Sequence, residues 1–375
     1  MSKQDRAVNL GVVGAGGFGL FALQHFLQVP GVRLAAMAST HREAATAMAR
    51  RFGLGEVLEL PQLLERSDID LVYIATPPYL HAEQSLACLK AGKHVICEKP
   101  LAINLQDAQG LLTLAAQEQL LMVNNLMQRY NPVYARVKAV IEQGLLGKVI
   151  HGYFENYASD EGLSLDHWFW DPAKSGGIFV EHGVHFFDLF TGWLGDGRVV
   201  SAQRVLRPES GIEEQVQCTV RYAGDVLVNF HHSFTQTGRM DRQVMRLLFE
   251  RGDITLHQWI PMQVTIEAVV NEEETRALQQ LFPRAVLDIT SSYGAAARKA
   301  MGRHKPLDLF QKILLRHDDG VEKSQRYGEL LRDLFADQVA WLQRPTHART
   351  LVEADGLKAL ALAVEARELA QEGAN

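Results

Sequence analysis

Residues 10–19 read Leu-Gly-Val-Val-Gly-Ala-Gly-Gly-Phe-Gly. Gly14, Gly16 and Gly19 fit the spacing G-x-G-x-x-G, and the apolar run Val8 to Val13 leads straight into them. Phe18, Phe21, Ala22, Phe26 and Leu27 then supply an apolar helix. A strand, a glycine turn and a helix in that order make a pyrophosphate site. Gly14 permits the tight turn, and Gly16 lets the anion touch the main chain. Gly19 lets the helix lie close to the strand, with its N-terminal amides aimed at the phosphates. Glycines at this spacing also punctuate ordinary loops; the flanking strand and helix are what point to a dinucleotide site. Gly17 and Phe18 lie in the same turn and join the expected cofactor contacts.

Outward from this turn, strand and helix alternate through about residue 125. Val32 to Ala38, Ile69 to Ala75, His94 to Cys97 and Leu120 to Asn124 read as strands. Glu43 to Phe52, Leu80 to Lys90 and Asn104 to Glu118 read as helices, with a short helical turn at Pro61 to Glu65. Continuous apolar strands between amphipathic helices predict a doubly wound parallel sheet covered on both faces, hence an α/β Rossmann domain over 1–125. Beyond it the rhythm changes. Pro132 to Gln143 reads as a helix and Val149 to Tyr157 as a half-buried strand, while Gly177 to Leu194 is helical in its later part. Runs at Val199–Leu206, Val216–Tyr222, Val226–Phe234, Val244–Glu250 and Met262–Val269 predict a large, mostly antiparallel open sheet. Residues 126–375 therefore read as an α+β substrate-binding and oligomerisation domain. Tyr327 to Leu342 and Ala354 to Leu369 are amphipathic helices, the last expected to pack back on the first domain. Residues 270–325, with a basic patch at Arg303-His304-Lys305, fit neither pattern.

The chain's 375 residues allow two domains, and 47% hydrophobic content supports a sizeable core. A net charge of −6 speaks against nucleic acid or a membrane surface as partner. No apolar stretch reaches membrane-spanning length. Cys88, Cys97 and Cys218 have neither zinc-ligand nor disulfide spacing, so no metal is expected and a cytoplasmic protein is the default. An open sheet face would be an aggregation hazard, which favours a homodimer or homotetramer.

Three stretches stand in order: GVVGAGGFG, then YIATPPYLHAEQSLACLKAGKHVICEKPLA, then WDPAKSGGIFVEHGVHFFDLF. Over residues 8–195 the chain resembles the glucose-fructose oxidoreductase, inositol dehydrogenase and rhizopine-catabolism (Gfo/Idh/MocA) oxidoreductases. The resemblance implies a Rossmann domain followed by an α+β domain with a large open sheet. It makes Lys99, in Glu98-Lys99-Pro100, the lysine that touches the reacting alcohol or carbonyl oxygen, where a cation stabilises developing negative charge. It makes His185 the catalytic histidine, whose ordinary pKa of roughly 6.5 suits proton transfer near neutrality. Glu181, four residues earlier and on the same helical face, stands where the family usually has Asp, and would orient His185 or bond the substrate. His182 is given no role. Asp188 is either an orienting partner or a solvated acid. By the same resemblance Thr76, Pro77 and His81 lie near the nicotinamide ribose, and Glu98 joins them.

Arg129, Tyr130, Tyr153, Trp168 and Trp170 are candidate substrate contacts, since polar groups among aromatics suit a polyhydroxylated ring. Tyr153 and Asn156 are expected to face one region from their strand. After the second strand come Ser39, Thr40, His41 and Arg42, with no carboxylate to bind ribose hydroxyls. Ser39, Thr40 and Arg42 could receive a 2′-phosphate, so NADP is expected before NAD. The function that follows is an NAD(P)-dependent oxidoreductase acting on a secondary alcohol or ketone of a sugar, cyclitol or related polyol. The alternatives are a nucleotide-sensing regulator, or a hydrolase or lyase that uses tightly held NAD.

Overall fold

A computed structural model describes residues 7–14, 16–40, 42–54, 56–302 and 305–373, apart from the side chains of Arg42, Ala44 and Met48. Strand β1 (Val8–Val13) leads into helix α1 (Gly17–Phe26), followed by β2 (Val32–Ala38), α2 (Arg42–Arg51) and the short α3 (Leu60–Leu64). Then come β3 (Leu71–Ile74), α4 (His81–Lys90), β4 (His94–Cys97), α5 (Leu105–Gln117) and β5 (Met122–Asn124). The five strands pair in parallel in the order β2-β1-β3-β4-β5. All four residues of β3 are buried, as a sheet covered on both faces requires. The order in which strands are added reverses between β1 and β3, the switch point at whose carboxyl ends open α/β sheets bind their ligands.

The chain continues through α6 (Pro132–Glu142), β6 (Val149–Ser159), α7 (Pro172–Ser175) and a π-helical turn (Phe179–Gly183) that runs into α8 (Val184–Leu194). Next are β7 (Gly197–Leu206), β8 (Glu213–Tyr222), β9 (Val226–Gln236), β10 (Arg242–Phe249), β11 (Gly252–His257) and β12 (Gln263–Val270). The stretch that fitted no pattern holds α9 (Glu272–Leu281), β13 (Val286–Ser292), β14 (Lys299–Met301), β15 (Pro306–Asp308) and β16 (Gln311–Asp318). Arg303 and His304 lie outside the described residues. The long helices α10 (Lys323–Gln343) and α11 (Glu353–Glu372) complete the chain.

Compactness groups the chain differently from a single cut after residue 125. One unit gathers the described residues up to Tyr130 with Ser164–Asp188 and Tyr327–Arg367. The other gathers Asn131–Leu163, Leu189–Arg326 and the described residues from Glu368. In the first unit α10 and α11 complete the core of the parallel sheet. Phe335 stacks on Phe26 at 4.1 Å between ring centroids, and Phe26 meets Tyr73 edge-on at 4.8 Å. Gly356 permits the fit of α11, because a Cβ there would stand 2.8 Å from Cβ of Asn124.

The second unit is built on a nine-stranded sheet in the order β13-β16-β12-β11-β10-β6-β9-β8-β7. Only the β6–β9 pairing among these is parallel. One expectation fails here. Tyr153 and Asn156 do not face one region: Asn156 lies on the buried face with Gly152 and Phe154, and Tyr153 on the more open face with His151 and Glu155. An odd spacing of three on a strand puts side chains on opposite faces. Asn156 is fully buried, and its Nδ2 donates to the Ser233 carbonyl within the sheet.

Candidate active site

The hydrogen-bond ladder of the parallel sheet runs one residue past each strand. Gly14 N donates to Ala38 O, Ala75 N to Val13 O, Glu98 N to Ile74 O and Asn125 N to Cys97 O, over 2.7–3.0 Å. Gly14, Thr76, Glu98, Lys99 and Asn125 are thus set in a row along the carboxyl edge of the sheet, where open α/β sheets hold their ligands.

The glycine turn fits a pyrophosphate. Gly14 has φ +99°, and a Cβ there would stand 2.7 Å from the Ala75 carbonyl oxygen, so both backbone shape and space demand glycine. A Cβ on Gly19 would lie 2.8 Å from the Gly14 carbonyl, which is how α1 comes to rest against the strand. At Gly16 and Gly17 a Cβ would meet nothing within 4 Å. Gly16 caps α1 without any side-chain hydrogen bond, and the first turn carries no acid. The amides at this helix start are therefore open to an anion.

Lys99 stands just past β4, and its peptide bond to Pro100 is cis. Its Nζ donates to the Glu181 carbonyl oxygen at 2.9 Å and to the Glu181 carboxylate at 2.5 Å. The pair is largely shielded: side-chain exposure is 20% for Lys99 and 11% for Glu181. Glu181 sits in the π-helical turn, and His185 in the first turn of α8. Burial, followed by the charge of Lys99 and the neighbouring His182, holds His185 well below the ordinary histidine range. His182 is pushed down to about 4 by burial, against an upward pull from Glu181 that outweighs the further lowering by Lys99. His182 lies in the π-turn, a form frequent at functional sites, within the electrostatic reach of Glu181 and Lys99. Both imidazoles are neutral at pH 7, so Lys99 is the cation beside them.

Glu98 is buried beneath this pair. Its Oε1 accepts from the Tyr73 hydroxyl and from Asn125 Nδ2, both at 2.5 Å. Burial raises its pKa despite those two donors. The carboxylate expected at the cofactor is thus engaged from within the protein. His81 is fully buried, with Nδ1 2.6 Å from the Pro100 carbonyl and Nε2 2.7 Å from the Thr76 carbonyl. Both ring nitrogens face backbone, so His81 shapes the edge of the site rather than offering it an atom. Thr76 donates its hydroxyl to Gln84 at 2.7 Å, and Pro77 begins the turn ahead of α4.

The expected substrate residues divide. Arg129 gives Nε and Nη2 to the two carboxylate oxygens of Asp188, each at 2.8 Å, and Asp355 stands 3.5 Å from Nη2. Asp188 is 1% exposed, and burial lifts its pKa to about 6 although Arg129 pulls it down. The reading of Asp188 as a solvated acid is therefore corrected: it belongs to a buried ion pair one turn beyond His185. Tyr130 likewise turns inward, donating to Asp337 at 2.6 Å, so burial and that carboxylate raise its pKa. Trp168 and Trp170 flank Phe169 in a 3-10 turn, Trp170 buried and Trp168 half-buried. Tyr153 belongs to the second unit, in register with Arg246 across β6 and β10. After β2, Ser39 is half-buried and Thr40 exposed. The side chain of Arg42, and all of His41, lie outside what is described.

Tyr327, at the start of α10, carried no signal in the sequence. Its ring lies 5.7 Å from Phe18 and 5.4 Å from Phe21, both on α1, and its buried hydroxyl is within the electrostatic reach of Glu98 and Glu181. A residue more than two hundred positions from Lys99 is thus packed on the helix that follows the glycine turn. Among the described residues no cluster of histidine, cysteine or carboxylate could hold a metal, and no helix is long and apolar enough to cross a membrane.

Known proteins resemble this chain in sequence and in fold. A 1,5-anhydro-D-fructose reductase of Ensifer adhaerens is 30% identical over 219 residues, which is 56% of this chain and 64% of that protein. The scyllo-inositol 2-dehydrogenase (NAD(+)) of Bacillus subtilis (strain 168) is 28% identical over 197 residues, 51% of this chain and 55% of that protein. The chain thus aligns with somewhat over half the length of each. Levoglucosan dehydrogenase in complex with NADH and L-sorbose superposes with a TM-score of 0.76 over 98% of this chain and 97% of its own, at 18% identity. GenD2 from gentamicin A biosynthesis, in complex with NAD, does so with a TM-score of 0.75 over 99% and 96%, at 20% identity. At those identities the likeness is one of fold. The sequence model of an oxidoreductase family with an NAD-binding Rossmann fold matches residues 8–125, and that of the GFO/IDH/MocA C-terminal domain matches 134–255. Between them these matches take in more than half of the chain, which belongs to the Gfo/Idh/MocA oxidoreductase family.

Proposed function

We propose that this protein is an NADP-dependent dehydrogenase or reductase acting on a secondary alcohol or ketone of a sugar, cyclitol or related polyol. The observation that carries the reading is the Lys99–Glu181 pair with neutral His185, at the carboxyl edge of a sheet whose first turn fits a pyrophosphate. When bound, the nicotinamide would accept or supply hydride. The chain's own residues would do the rest. The Lys99 ammonium, steadied by two Glu181 oxygens, would stabilise negative charge on the reacting oxygen in a site largely shielded from water. His185, neutral at pH 7, would take the hydroxyl proton on a ring nitrogen during oxidation and return it during reduction. The glycine turn and the open amides of α1 would hold the pyrophosphate.

The names of the relatives, a sugar reductase and an inositol dehydrogenase, support a polyol substrate. The absence of a carboxylate at Ser39 and Thr40, directly after β2, supports NADP. The test is a panel of sugars and cyclitols assayed by reduced-nicotinamide absorbance with each cofactor. A higher kcat/KM with NADP on at least one polyol is expected. A clear NAD preference would overturn the cofactor assignment, and no turnover on any polyol would overturn the substrate class.

A further inference from the structure

We propose that His81 is a positioning residue for Lys99. The proposal rests on Lys99 being the catalytic cation. His81 opens α4, yet its imidazole turns back to the sheet edge and bridges two loops. Nδ1 meets the carbonyl of Pro100, the residue directly after Lys99, at 2.6 Å. Nε2 meets the carbonyl of Thr76, two residues past the end of β3, at 2.7 Å. The ring is fully buried. Its chemistry is spent on backbone, so it is neither a proton donor to substrate nor a cofactor ligand.

The bridge answers a mechanical need. Lys99 and Pro100 follow β4, where the ladder to β3 ends after Glu98 N bonds Ile74 O. Beyond that bond the loop carrying Lys99 needs another tie to β3, and the imidazole supplies one. Both partners are carbonyls: a ring with one N–H donates to one of them, and a ring with two donates to both. Burial disfavours a cationic ring and the two carbonyls favour it; the charged groups facing His81 are Lys99 and Glu181 themselves, the first disfavouring the cation and the second favouring it. The ring is therefore coupled by structure and by charge to the pair whose geometry it sets. Displacing a catalytic group by about 1 Å can cost about 100-fold in rate.

The test is a double-mutant cycle of His81→Leu with Lys99→Met, read by kcat, KM and nucleotide Kd. His81→Leu alone should lower kcat roughly 10- to 100-fold while the nucleotide Kd changes less than about threefold. In the Lys99→Met background the same change should lower kcat no further, because the group it positions is gone. His81→Gln, which keeps N–H donors, should fall between wild type and His81→Leu, and stands in if the leucine variant does not fold. Losses that multiply, or a Kd that worsens in step with kcat, would show His81 acting on its own and overturn the proposal. If Lys99→Met alone retains near-normal kcat, the role assigned to Lys99 has failed, and with it any positioning role, a result distinct from multiplying losses.

Discussion

Removing the Lys99 charge tests two things at once, and the geometry says how they separate. In Lys99→Met the side chain keeps its length and loses Nζ, with its bonds of 2.9 and 2.5 Å to Glu181. The reacting oxygen loses a charged donor, worth about 3 kcal/mol or 10²–10³-fold in kcat. The folded state loses something else. The Glu181 side chain, 11% exposed, becomes a shielded carboxylate without its cation. Breaking a fully buried pair costs about 3–5 kcal/mol. Because 20% of the Lys99 side chain reaches solvent, roughly 1–3 kcal/mol is expected. Adding Glu181→Gln removes the stranded charge. The double variant should regain most of the lost stability, with a coupling of about 1–3 kcal/mol, while its kcat stays as low as that of Lys99→Met. Urea denaturation reads the first arm without any substrate, and initial rates on the best polyol read the second. If Glu181→Gln restores no stability to Lys99→Met, the ion pair does not hold the site. If Lys99→Met turns over within threefold of wild type, the charge is not used.

Gly16→Val should leave folding intact, since a Cβ there meets nothing, yet raise the nucleotide Kd at least tenfold; an unchanged Kd by calorimetry would remove the pyrophosphate from this turn. His185 must be neutral to accept a proton, and its folded pKa lies well below the ordinary value, so kcat/KM for alcohol oxidation should stay flat as pH falls through roughly 6.5. A wild-type loss centred there and abolished by His185→Asn would contradict the neutral, buried imidazole. Asp188→Asn leaves the Arg129 guanidinium without its bidentate partner and should destabilise the fold by about 3 kcal/mol in urea at pH 7.5; a change below about 0.5 kcal/mol would mean the pair is idle.

Periodicity and punctuation carried much of the architecture. Glycines at 14, 16 and 19 behind an apolar run, continuous apolar strands between helices, and alternation from residue 149 onward are local signals, and local backbone preference produces what they predict. The sheet of the second unit was legible except where signals were mixed. The short β14 and β15, with their polar neighbours, show no sustained period, while α9 buries Thr275 and Leu278 at helical spacing behind an Asn271–Glu274 capping box but opens on a run of three glutamates that reads as a solvated loop.

Within the site, Lys99, Glu181 and His185 could be named from the chain, because the short motifs that carry them resemble those of the Gfo/Idh/MocA family. What each polar side chain bonds to could not. Arg129, Tyr130 and His81 have the right types for a ligand shell, yet the fold turns them onto Asp188, Asp337 and two backbone carbonyls. Except for Thr76, five residues before His81, those partners are distant in sequence, and only chain return brings them within 3 Å. The π-turn that carries Glu181 and His182 is equally hidden, since one additional residue per turn leaves no compositional mark. The amino-acid order alone determined which groups could do chemistry and which backbone would cradle a phosphate, because those properties belong to single residues and their near neighbours. Tertiary packing decided which of those groups are spent holding one another, because burial and pairing depend on segments that meet only after the chain has folded.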